Sequence, residues 1–157
     1  MPETTKIISI FLLSLLLTAC GFKKINQDNQ NLIYIEKINI SGDKRISYLL
    51  KNNILLISDK RSVNKHEVTI DVKKLTKDKI KNSTGKITRY NISIIVSLGI
   101  ENTKNKVIID QTFNGDRDYD VAENHSDTKR NEKNALNNIT QKLSEDINNF
   151  LILSVKN

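Results

Sequence analysis

The most reactive side chain here is the thiol of Cys20, the only cysteine, at the end of the stretch Leu17-Thr18-Ala19-Cys20-Gly21. Acylation needs a soft nucleophile at one position, and the small residues Thr18 and Ala19 let the backbone enter a peptidase cleft. An apolar run from Ile7 to Leu17 precedes them, 11 residues against the ~20 of a membrane-spanning helix. That length and place read as a signal-peptide core followed by a lipobox. A buried thiol in a core helix is the competing reading. It fits poorly, because the run lies at the extreme N-terminus and Lys23, Lys24, Asn26, Gln27, Asp28 and Asn29 follow at once.

The expected consequence is cleavage after residues 1–19 and lipidation of Cys20. Each buried acyl CH₂ contributes about 0.8 kcal/mol, so several chains hold a domain at a membrane by an energy on the order of tens of kcal/mol. The chain would then work in an oxidising space with no partner for a disulfide, and its fold must stand on its core alone.

Other chemistry is sparse. His66 and His125 lie far apart, with no HExxH motif and no cysteine ligands beside them. The five glycines are scattered singly and make no phosphate-binding loop, and no G-x-S-x-G nucleophile elbow is present. Neither a metal site nor a cofactor is expected, and an enzyme is the least supported class. Asp116, Asp118 and Asp120, with Asp127 further on, have the alternate spacing of a calcium loop. Val121 stands where that loop needs glycine and Asp127 where it needs glutamate, so a polar strand end with acids ahead of a helix N-terminus is the better reading.

Charge is concentrated. Between Lys60 and Arg89 there are ten Lys or Arg against three acids, an excess equal to the whole net charge of +7. On a tethered envelope protein such a region attracts anionic partners, of which phosphorylated glycolipids and acidic lipid head groups are the abundant kinds. Nucleic acid fits that compartment poorly. The bland alternative is a strand edge guarded by lysines against edge-to-edge pairing.

The elements that must position these groups follow from periodicity. Residues 20–31 are polar and read as a tether, and residues 32–157 as one domain. Leu32 to Ile40 is β-branched, a first strand. Ser41-Gly42-Asp43 then breaks it and caps a helix from about Asp43 to Asn53, with Ile46, Leu49, Leu50 and Ile54 at helical spacing. Ile54 to Ile57 reads as a brief strand or a packed turn. Val68, Ile70 and Val72 alternate with polar residues as a strand, Thr76 to Lys86 is assigned to a turn, and Tyr90 to Ile100 alternates cleanly as the longest strand. Val107, Ile109 and Phe113 mark a third antiparallel strand whose apolar face is interrupted at Gln111. A long helix beginning near Ser126 or Asp127 carries the stripe Leu136, Ile139, Leu143, Ile147, Phe150 and Leu151. One apolar stripe per helix and one apolar face per sheet predict an α+β two-layer sandwich, two helices on one face of a four-stranded, mostly antiparallel sheet.

Along this ordered set stand Cys20-Gly21-Phe22, Arg89-Tyr90-Asn91, Asp118-Tyr119-Asp120 and Arg130-Asn131-Glu132-Lys133-Asn134-Ala135-Leu136 with Leu143 and Ile147 beyond. By these residues and the order of its elements the chain resembles the LPS-assembly lipoprotein LptE family, most of all its alphaproteobacterial branch, over nearly the whole mature chain. The chain departs from the family at Lys23-Lys24, in the tether. The resemblance implies a non-catalytic outer-membrane lipoprotein on the periplasmic side that plugs the LptD β-barrel, supports its assembly and binds lipopolysaccharide on its way to the surface. Lys77, Lys79, Lys81 and Lys86, with Lys129 and Arg130 at the helix start, are the expected contacts to lipid A phosphates. An accessory lipoprotein of another outer-membrane assembly, of the barrel-insertion or secretin-pilot type, would share the anchor and the fold and differ in its partner.

Overall fold

A computed structural model describes residues 33–154. The expected signal peptide, lipidation site Cys20 and tether lie outside the described residues. Six elements follow one another: β1 (Tyr34–Gly42), α1 (Lys44–Leu55), β2 (Lys65–Lys81), β3 (Ile87–Asn102), β4 (Ile108–Asp120) and α2 (His125–Ser154). The sheet order is β1-β2-β3-β4. β1 and β2 are parallel, joined by a crossover through α1, whereas β2, β3 and β4 form an antiparallel meander.

The crossover is set locally. At Gly42 the backbone takes φ 87°, and a Cβ there would lie 1.9 Å from the Val72 carbonyl oxygen, so only glycine lets the chain leave the sheet at this point. Asp43 then caps α1, its Oδ1 accepting from the N–H groups of Arg45 and Ile46 at 3.1 Å each.

Both helices pack on one face of the sheet, as the stripes require. Ile46, Leu50 and Ile54 of α1 and Leu136, Ile139, Leu143, Ile147 and Leu151 of α2 are buried against Val68, Ile70 and Val72 of β2 and Ile92, Ile94, Val96, Leu98 and Ile100 of β3. The alternation of β3 is realised residue for residue. Phe113 meets Phe150 edge to face, with ring centroids 5.6 Å apart. Asn53 donates to Ser144 Oγ at 3.1 Å and ties the two helices together. Among the described residues the other face of the sheet carries no helix.

Two expected boundaries move. Ile54 belongs to the last turn of α1 and is fully buried, and only Ser58 beyond it forms a parallel bridge, to Ile33. More consequentially, Thr76–Lys81 is strand and not turn. β3 is long enough to pair with it (Thr76↔Ile92, Lys77↔Asn91, Asp78↔Tyr90), and the reversal is confined to residues 82–86. Alternation vanishes over this stretch because only the first turns of α2 approach it and its residues stay exposed, so neither face needs to be apolar.

Candidate functional site

Beyond Val72 and below Ile92 the β2–β3 hairpin forms an arm beside the N-terminal turns of α2, every residue from Lys73 to Lys86 being exposed. Its tip is built by Asn82. The side-chain oxygen of Asn82 accepts from Thr84 N–H at 3.1 Å, Thr84 Oγ1 at 2.8 Å and Lys86 N–H at 2.9 Å, while Gly85 takes φ 81°. Lys86 is thereby held at a defined end of the turn.

The expected phosphate contacts separate into two groups by their partners. Lys79 pairs with Asp118 at 2.6 Å, Lys81 with Asp78 at 3.3 Å, Lys129 with Glu132 at 2.8 Å and Arg130 with Asp127 at 2.6 Å. Among the described residues no ion pair involves Lys77 or Lys86, nor Lys73, which the periodicity did not single out. Unneutralised cations attract an incoming anion more strongly than those already held by carboxylates, so Lys77 and Lys86 are the stronger candidates.

The Asp116-Asp118-Asp120 series lies on extended β4, not in a calcium-type turn. The three carboxylates meet the neighbouring strands: Asn91 donates to Asp116 at 3.1 Å and to Asp118 at 2.8 Å, and Arg89 pairs with Asp120 at 2.6 Å. The hydrogen bond from Lys79, then that from Asn91, holds the Asp118 carboxyl below the usual carboxylate range, and Asp120 raises the Arg89 guanidinium above its ordinary value. These contacts lace the arm to β4.

Tertiary structure brings Lys86 and Lys129 to one groove of about 580 Å³ at the base of the arm, beside Thr128 and Glu132. Its floor is the stacked pair Tyr90 and Tyr119, with centroids 5.5 Å apart. Burial, followed by the charge of Glu132, pushes the Tyr119 hydroxyl above its ordinary value, so it stays a neutral hydroxyl. Asn124 caps α2 beside it, accepting from Asp127 N–H at 2.7 Å. A second groove, of about 360 Å³, shares Lys129 and Glu132 and adds Arg45, Lys74 and Lys133. Lys77, Lys79 and Lys81 stand on the arm outside both grooves, and Arg130 is turned to Asp127. Arg45, Lys74 and Lys133 were not among the contacts expected from the sequence. The Lys129–Lys133 step of four residues on one helix was the available signal.

The opposite face of the sheet is acidic at the end away from the arm. Glu67, Asp71, Glu101 and Asp110 border a depression of about 490 Å³ there. Among the described residues no group of three or more His, Cys, Asp or Glu side chains converges on a metal position. None of the described helices is long and apolar enough to cross a membrane.

No family model matches this chain, and no curated protein matches it by sequence. Solved structures do share its fold. A candidate lipoprotein from Caulobacter crescentus is 15% identical, with a TM-score of 0.56 over 76% of this chain and 90% of that one. The lipoprotein B of Nitrosomonas europaea is 13% identical, with a TM-score of 0.53 over 81% and 87% of the two chains. The rare lipoprotein B of Shewanella oneidensis is 13% identical, with a TM-score of 0.50 over 75% and 92%. The two-layer fold of this chain is thus one that bacterial lipoproteins adopt.

Proposed function

We propose that this chain is a lipid-anchored outer-membrane protein of the LptE type, facing the periplasm, that plugs and supports assembly of the LptD β-barrel and binds lipopolysaccharide during its delivery to the surface. The observation that carries the reading is the coincidence of a lipobox at Cys20 with the fold of rare lipoprotein B. The basic arm supports the glycolipid part. Lys77 and Lys86 offer unneutralised ammonium groups, and the groove beneath Lys86 adds Lys129, an aromatic floor and the N-terminus of α2, an arrangement suited to phosphate with an apolar neighbour. No step of catalysis is part of this role. Binding of the plug to the barrel would rest on burial of mixed polar surface.

Two experiments test it. A C-terminal tag and mild-detergent extraction of outer membranes should recover a large, heat-modifiable β-barrel at one-to-one ratio. Recovery with a secretion or peptidoglycan-linked complex would favour the other accessory-lipoprotein role. For the glycolipid part, replacing Lys77, Lys79, Lys81 and Lys86 together by Ser should weaken lipopolysaccharide binding at least tenfold while the thermal unfolding curve barely moves. Unchanged binding would remove the arm from the mechanism.

A further inference from the structure

The arm has an open backbone edge. β1 pairs with β2 only as far as Gly42↔Val72, where the chain leaves the sheet, and the last bond across that border runs from Asp43 N–H to the Val72 carbonyl at 3.0 Å. Among the described residues β2 has a strand on one side only from Lys73 onward. Backbone groups alternate along a strand. The Lys65 carbonyl accepts from Thr103 N–H on the β3 side and that of Val72 from the β1 side, so the N–H and C=O groups of Lys74 and Thr76 point out of the vacant edge. A bulge between Asp78 and Ile80 ends its regular part. The free stretch, Lys73 to Asp78, spans roughly 20 Å at about 3.3 Å per residue.

The side chains bordering this edge have a definite pattern. On the face away from the helices stand Lys73, Leu75 and Lys77. Neither lysine has an ion-pair partner among the described residues, and Leu75 between them is 46% exposed. On the helix side Lys74 is already opposed by Glu132 at 4.0 Å. Lysines on an edge repel neutral or basic strands, which protects a monomer, but they favour an acidic one.

We infer that the β2 edge from Lys73 to Asp78 accepts an extended acidic segment of a partner protein as an added strand, one that carries acidic, apolar and acidic side chains at alternate positions opposite Lys73, Leu75 and Lys77. Main-chain bonds to Lys74 and Thr76 supply the pairing and the three flanking side chains the selectivity. The inference shares Lys77 with the glycolipid reading but does not rest on it, and Lys86→Ser tests that reading without touching this edge.

The probe is the labelled peptide Thr-Glu-Thr-Val-Thr-Glu-Thr, whose palindromic order serves either strand direction, against a control with Lys for Glu. Binding is measured by anisotropy to the full chain in detergent at low ionic strength, and amide exchange locates it. The acidic peptide should bind at least about tenfold tighter than the control and slow exchange at Lys74 and Thr76. Lys73→Glu with Lys77→Glu should reverse the preference, which a merely unfolded variant would not do. Thr76→Pro should weaken binding about tenfold by removing an outward N–H that β3 does not use. Equal affinity for the two peptides overturns the inference, as does unchanged binding to Thr76→Pro or protection along β4. Slowed exchange at Lys74 and Thr76 that grows with chain concentration without peptide would assign the edge to a second copy instead.

Discussion

The two halves of β2 are paired to the same neighbour and have opposite fates. Val68, Ile70 and Val72 lie under both helices and beside β1, and are essentially inaccessible to solvent. Lys73 to Lys81 keeps the ladder with β3, loses β1 and meets the helices only at their N-terminal turns, through Lys74 and Thr76, and all nine residues are exposed. Hydrogen bonding alone therefore sustains strand geometry along the whole of β2, while burial of one face decides which half stabilises the fold and which is free to bind.

Four measurements would break or sharpen this contrast. The largest effect is expected at Ile70, which is 0% exposed. Ile70→Ala should cost about 2–5 kcal/mol in denaturant unfolding, against under about 1 kcal/mol for Leu75→Ala on the arm. Equal costs would mean that the arm is packed and not free.

The border itself comes next. Gly42→Ala places a Cβ against the Val72 carbonyl in a left-handed conformation and should destabilise by about 2 kcal/mol or more. A neutral result would show that the exit from the sheet can be rebuilt elsewhere.

A smaller effect should come from pH at the root of β2. His66 is buried, its Nδ1 3.2 Å from the Asn64 carbonyl, and burial lowers its pKa below the ordinary 6.5, partly offset by that bond. In the window below 6.5 the unfolded chain binds the proton and the folded chain does not, so stability must fall as pH falls there and level off above it. His66→Gln should flatten that slope, measured by denaturant midpoints across the window.

The least effect is expected from Lys79→Ser, which breaks the exposed pair with Asp118. Exposed pairs contribute on the order of 0–1 kcal/mol, so the unfolding midpoint should shift little. A large shift would mean that the pair holds the arm in place, and that the basic arm is part of the fold's stability.

The site was legible in unequal parts. The basic stretch and its lysines were visible as a charge run, but their grouping was not. Lys79 and Asp118 are far apart in sequence and meet only because the bulge at Asp78/Ile80 and the β3–β4 register bring them together. The same holds for Lys86 and Lys129, joined in a groove by the docking of α2.

Taken alone, the sequence determined what depends on neighbours along the chain: the cap at Asp43, the stripe of α2, the alternation of β3 and hence two helices on one sheet face. These are short-range patterns in which side-chain direction repeats with a fixed period, so they need no knowledge of the rest of the molecule. Tertiary structure alone decided that β2 continues to Lys81, that its outer half is an edge, and which cations are neutralised. Each depends on where β1 stops, where the helices end and which distant carboxylate arrives, and no local period records the position of a partner that is missing.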